Sequence, residues 1–201
     1  MRFKIKDKYR RYDKDEIILD IQPGLNFLIG PNGSGKTVAL DQIHDECISN
    51  DIKCIRYENT SDDFIYQYYN SSYNTNSHIS KGEMAGFNFI YLFITKLKQQ
   101  ILEAQDTYNK SFVILLDSIG EYLDINRIDD IKTLFYNTVI PDAKSIGVDL
   151  YIVISTNNYE FIKDELCFSI KSGTIKKFTS YDEYAKFIKN YWKGSKTNGK
   201  E

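Results

Sequence analysis

Several things a membrane or secreted protein needs are scarce in this sequence. No run approaches the roughly 20 apolar residues of a membrane span. The longest candidate, Phe87 to Ile94, is interrupted by Asn88. The opening MRFKIKDKYRRYDKDE has no apolar stretch fit for a signal peptide, so a cytoplasmic chain without membrane insertion is expected. The three cysteines, Cys47, Cys54 and Cys167, are odd in number and lack metal-ligand spacing. That argues against a disulfide framework and a zinc site, suits a reducing compartment, and leaves them as small buried apolar residues. The two histidines, His44 and His78, are single and far apart, which gives little support to a metal site or a Ser-His pair. There is no excess of positive charge either: 26 Lys and Arg against 28 Asp and Glu give a net charge of -2. A protein that coats nucleic acid by bulk charge is therefore not expected, although a local basic face stays open.

What is present is 201 residues at 42% hydrophobic, enough for one domain with a sizeable core. No repeat or linker divides it, so a single domain is expected over 1–192, followed by a disordered basic tail over 193–201. Strand-like runs cover Arg2 to Lys6, Glu16 to Ile21 and Leu25 to Ile29, with a turn at Pro23-Gly24. Lys36 to Ser49 reads as a helix, Ile52 to Tyr57 as a strand, and Lys81 to about Gln105 as a long buried helix. Phe112 to Leu116 and Leu150 to Ser155 are continuous apolar runs of the kind that form buried parallel strands. Between them, Ile128, Ile131, Leu134 and Phe135 repeat at helical spacing. A hairpin is expected from Cys167 to Phe178 around Ser172-Gly173, then a helix with Ser180 and Glu183 as a capping box.

The most informative motif is Gly30-Pro31-Asn32-Gly33-Ser34-Gly35-Lys36-Thr37, which fits G-x-x-x-x-G-K-[ST] between a predicted strand and a predicted helix. Glycines let the backbone curl so that successive N–H groups meet phosphate oxygens, and the helix adds its positive end. Lys36 is expected to reach the β- and γ-phosphates of ATP, and the Thr37 hydroxyl to ligate Mg2+. Asp117 ends an apolar strand, where a second magnesium-holding carboxylate belongs, beside the loop that follows the first strand.

On these residues the chain resembles the ABC-class P-loop ATPases, in particular the soluble branch with the SMC and DNA-repair ATPases. GPNGSGKT is that class's form of the loop. Ile79-Ser80-Lys81-Gly82-Glu83 resembles its signature motif, and DSIGEYLD from Asp117 to Asp124 resembles the Walker B carboxylate followed by a D-loop pair. The resemblance spans residues 16 to 190. It implies an α/β P-loop NTPase fold with a largely parallel central sheet flanked by helices, plus an antiparallel N-terminal β-section. It also implies a dimer, homomeric or heteromeric, with ATP held between Asn32, Gly33, Ser34, Gly35, Lys36 and Thr37 of one chain and Ser80 and Gly82 of the other. The adenine would stack on Tyr12, with Tyr9 as the rival.

Two positions depart from the class. The glutamate expected after Asp117 is Ser118, and the switch histidine is replaced by Asn157. Slow hydrolysis is therefore expected, with Glu121 the alternative source of a carboxylate. Gln67 is the one glutamine between Gln42 and Gln99. The leading expectation is an ATPase acting as an ATP-dependent clamp, with DNA or an effector protein as partner. The alternatives are a switch that barely hydrolyses or a degenerate half of a heterodimer, then a transporter's ATP-binding subunit, then a small-molecule phosphotransferase.

Overall fold

The computed structural model describes residues 1–7, 13–58, 94–106, 110–119 and 123–193. The chain opens with β1 (Arg2–Lys6) and β2 (Glu16–Asp20), paired antiparallel as a separate two-stranded sheet. Their alternation puts Phe3, Ile5, Ile17 and Leu19 on one buried face, as a period of two requires. After the Pro23-Gly24 turn the chain leaves that sheet and enters a second one as β3 (Gly24–Ile29). Asn26 ties the turn down: its side chain accepts from the Gln22 amide and donates to the carbonyls of Gln22 and Gly24.

The second sheet has six strands in the order β4-β5-β6-β3-β7-β8. Its further members are β4 (Lys53–Glu58), β5 (Ser111–Asp117), β6 (Asp149–Thr156), β7 (Cys167–Ser169) and β8 (Ile175–Lys176). All pairings are parallel except β7 with β8. Every residue of β5 is buried, and so is every residue of β6 after Asp149. That is the pattern of parallel strands covered on both faces. Leu28, Val113, Leu115 and Val153 point to one side, where they share a core with Leu40 and Ile43 of α1 (Lys36–Ser49) and with the β1–β2 sheet. Phe27, Ile29, Ile114, Leu116, Ile152 and Ile154 point to the other. There they meet α2 (Ile94–Gln105), the helical stretch between β5 and β6, and the last helix. The molecule is thus a mixed α/β structure with a largely parallel sheet between helices. No helix among the described residues is long and apolar enough to cross a membrane.

The stretch between β5 and β6 is α3 (Ile125–Leu134), a wider π-turn (Phe135–Val139) and α4 (Ile140–Ser145). Buried residues fall at Ile131, Phe135, Val139 and Ala143. Four-residue steps on an ordinary α-helix overshoot by about 40° each, so such a stripe would wind off the core. The π-turn takes up that excess just before Pro141, which has no N–H to continue an ordinary helical ladder. A single-turn helix, α5 (Tyr159–Ile162), is capped by the Asn158 side chain on the Glu160 amide. The sequence reading lacks it. The final helix, α6 (Tyr181–Asn190), starts at Ser180, whose hydroxyl accepts from the Glu183 amide, while the Glu183 carboxylate accepts from Thr179. The expected hairpin is present in shorter form, with only β7 and β8 paired.

Candidate functional site

The loop from Gly30 to Gly35 leaves the C-terminal end of β3, a central strand of the sheet, and turns directly into α1. Two glycines are required by the path of the backbone: Gly33 has φ 78° and Gly35 φ 96°, where a side chain is strained. Gly35 is also the N-cap of α1 and supplies no side-chain cap, so the positive end of the helix faces the loop. Gly30 is required by contact. A Cβ there would stand 2.5 Å from Ser34 Oγ and 2.9 Å from Tyr191 Oη, both in buried residues. Gly30→Ala is expected to cost about 1–3 kcal/mol from overpacking. For a chain of this size that lowers the melting temperature by roughly 3–10 °C. Gly33→Ala, whose Cβ meets nothing within 4 Å, tests backbone strain alone. Calorimetry showing Gly30→Ala to be as stable as wild type would contradict the contact argument.

The loop is closed upon itself. Lys36 Nζ donates to the carbonyls of Gly30 at 2.8 Å and Pro31 at 3.2 Å, and the Ser34 amide donates to Pro31 at 3.1 Å. Lys36 is 9% exposed. The Ser34 side chain is buried beneath the loop and its hydroxyl has no hydrogen-bond partner among the described residues, so a ligand above the loop would meet Ser34 through its backbone. Thr37 and Asn32 are exposed.

Asn157, just past the end of β6, is brought onto the loop: its Nδ2 donates to Asn32 Oδ1 at 2.8 Å. Its carbonyl in turn accepts from Tyr184 Oη of α6 at 2.6 Å. Burial pushes the Tyr184 phenol well above its usual pKa, which keeps it a donor in this bond. A cavity of about 360 Å3 opens between the loop and α6, lined by Pro31, Asn32, Asn157, Tyr181, Tyr184 and Lys189 among others. Its volume is within the range of small-molecule sites.

Asp117 ends β5 on the same sheet edge as the loop, with β6 running between β3 and β5. Two strand spacings separate them, about 10 Å. The Asp117 side chain is nearly buried and both oxygens are occupied: Oδ1 accepts from Ser155 Oγ of β6, and Oδ2 from Arg56 Nη2 of β4 at 3.3 Å. Arg56 Nη1 also pairs with Asp41 of α1. Arg56, Asp41, Ser155, Tyr184 and Tyr191 are the site neighbours that the sequence reading does not pick out. Ser118 follows Asp117 in a left-handed conformation, φ 55°, with its amide on the Ser155 carbonyl.

Tyr12, Tyr9, Gln67, Ser80, Gly82 and Glu121 lie outside the described residues. Among the described residues no group of three His, Cys, Asp or Glu side chains could hold a metal by itself. The Thr37 hydroxyl and the Asp117 carboxylate are hard oxygen donors of the kind Mg2+ accepts in ones and twos when phosphates complete its shell, so these residue types fit that ion.

No protein-family model matches the chain, and no curated protein does. Among the solved structures that match is Stu0660 of Streptococcus thermophilus, with a TM-score of 0.50 and 10% sequence identity over 91% of this chain and 78% of that one. At that identity the likeness concerns the fold alone.

Proposed function

We propose that the chain binds Mg-ATP on the loop Gly30 to Thr37 and acts as a slow ABC-type ATPase, a dimeric clamp or switch. One observation carries this reading. A motif of phosphate-binding composition sits between a central parallel strand and an uncapped helix N-terminus, with its lysine turned into the loop. Opening the loop exchanges the Lys36 bonds to the neutral carbonyls of Gly30 and Pro31 for bonds in which donor and acceptor are both charged, and the loop amides gain an ionised acceptor. Magnesium, when bound with the nucleotide, would neutralise developing phosphate charge. Thr37 and Asp117 are the residues to hold it. Asn32, Asn157 and the cavity beside them are at the loop's first half, where a terminal phosphate and whatever approaches it would lie. A partner subunit bringing Ser80 and Gly82 would arrive from that side, and DNA or an effector protein would then respond to the closed dimer.

A switch that barely hydrolyses is the second reading, favoured by Ser118 and by the engagement of Asn157 with Asn32. Neither side chain is a base at neutral pH.

Sedimentation of the pure protein with and without ATP and Mg2+, with phosphate release assayed on the same sample, tests the proposal. Dimers that form with ATP and decay slowly are expected. A chain that stays unchanged and fails to retain ATP would overturn it.

A further inference from the structure

Asp117 and Asp41 are held by one guanidinium. Asp41 is one turn beyond Thr37 on α1, so it shares a helix face with the threonine and lies behind the loop. Arg56 is two residues before Glu58, which is in register with Asp117 across the β4–β5 ladder. Arg56 therefore projects from the same sheet face as Asp117, the face that α1 covers. Its two Nη atoms divide between the two carboxylates, Nη1 on Asp41 and Nη2 on Asp117. The carboxylates are unlike: the Asp117 side chain is 8% exposed and that of Asp41 48%. A nearly buried carboxylate without a cation is costly, whereas a half-exposed one is solvated. Arg56 thus supplies Asp117 with a balancing positive charge, and Asp41 offers Arg56 a second seat.

We propose that Arg56 is a resident counter-ion for Asp117 that gives way to the divalent cation and shifts its weight to Asp41 when nucleotide binds. This rests on the ATP-binding reading above. A doubly charged ion with direct access to the carboxylate oxygen outcompetes a single guanidinium positive charge delocalised over three nitrogens. The exchange sets the affinity for the ion: the stronger the hold of Arg56 on Asp117, the weaker the binding of metal. Asp41 makes the release cheaper by accepting the displaced guanidinium. Arg56 is in this sense a positioning residue, acting on the cation through Asp117.

The test uses Mn2+ as the probe, titrated into wild type, Arg56→Gln and Asp41→Asn, each saturated with ADP, with free Mn2+ read by electron paramagnetic resonance. Nucleotide affinity is measured separately in EDTA, and melting curves establish that each variant is folded. Arg56→Gln should bind Mn2+ about tenfold more tightly and Asp41→Asn about threefold more weakly, both with ADP affinity in EDTA near wild type. Arg56→Lys should fall between wild type and Arg56→Gln. Opposite signs for the two variants are the signature, because a merely structural bridge predicts lower stability in both with no change in ion affinity. Unchanged Mn2+ affinity, or a loss of ADP binding in EDTA on removing Arg56, overturns the counter-ion role alone. Should Arg56→Gln not fold, Asp41→Asn decides by itself: affinity equal to wild type or tighter overturns the proposal. A wild type that binds no ADP at all overturns the ATP-binding reading and this inference with it.

Discussion

Replacing Lys36 with alanine is expected to weaken Mg-ATP binding by a factor of a thousand or more while the chain still folds. Two separate magnitudes give this result. Among the described residues Lys36 donates hydrogen bonds to the neutral carbonyls of Gly30 and Pro31. Each is worth about 0.5–1.5 kcal/mol net, somewhat more with a charged donor, so the truncation costs stability only modestly. Against a triphosphate the same ammonium faces oxygens of full negative charge in a partly enclosed loop. Losing about 4 kcal/mol there is a thousandfold in affinity. Calorimetric titration of ATP with Mg2+ present, alongside a thermal melt of the same sample, separates the two effects. ATP affinity within twofold of wild type in a folded Lys36→Ala protein would sink the assignment of the loop.

The second large effect is expected at Ser118, in the direction of gain. General-base assistance is worth about 10²- to 10⁴-fold, and a serine hydroxyl cannot supply it at neutral pH. Ser118→Glu sets a carboxylate next in sequence to Asp117. Ser118 already occupies the left-handed region at φ 55°, so glutamate inherits a backbone strain of about 1–2 kcal/mol that the serine bears as well, and little is added. The hydrogen bond that the backbone amide of this position donates to the Ser155 carbonyl keeps it anchored to β6. Single-turnover hydrolysis should rise tenfold or more, and ATP-held dimers should become shorter-lived. If Glu121 already orients the water, wild-type turnover will be ordinary, Ser118→Glu will change little, and Glu121→Gln will be the slowing substitution. That combination would refute the slow-switch reading while leaving ATP binding in place.

Local signals in the sequence were reliable where the physics was local. The run from Lys36 to Ser49 is legible because a glycine N-cap and the buried positions Leu40, Ile43 and Cys47 at helical spacing agree. The capping box of Ser180 and Glu183 forms as its spacing requires. Continuous apolar runs marked β5 and β6 as buried strands, with bounds one residue wider than expected at each end. The one-turn helix α5 was not legible, since four residues carry no periodicity. The π-turn was not legible either, because it answers a four-residue stripe that only the sheet makes necessary. Strand order is the larger gap. Nothing local in Leu150 to Ser155 says that β6 separates the loop's strand from that of Asp117. The same non-local order decides that Arg56, in a strand read only from its alternation, meets Asp117. The loop residues of the candidate site were legible from composition and spacing. The side chains that contact them across strands were not.

The sheet order also sets a timetable. β3 is bounded on one side by β6 and on the other by β7, and Asn26 on β3 reaches the Ile152 carbonyl across 126 positions of sequence. Until those distant strands emerge, the strand that presents Gly30 to Lys36 has no neighbour in its sheet. At typical synthesis rates of about 5–20 residues per second, that gap lasts on the order of 6–25 s. Contacts of such sequence separation are entropically slow to close, which adds to the delay. A nascent chain therefore carries its most recognisable motif from early on, yet only one synthesised past β6 and β7 has the sheet neighbours that support that motif.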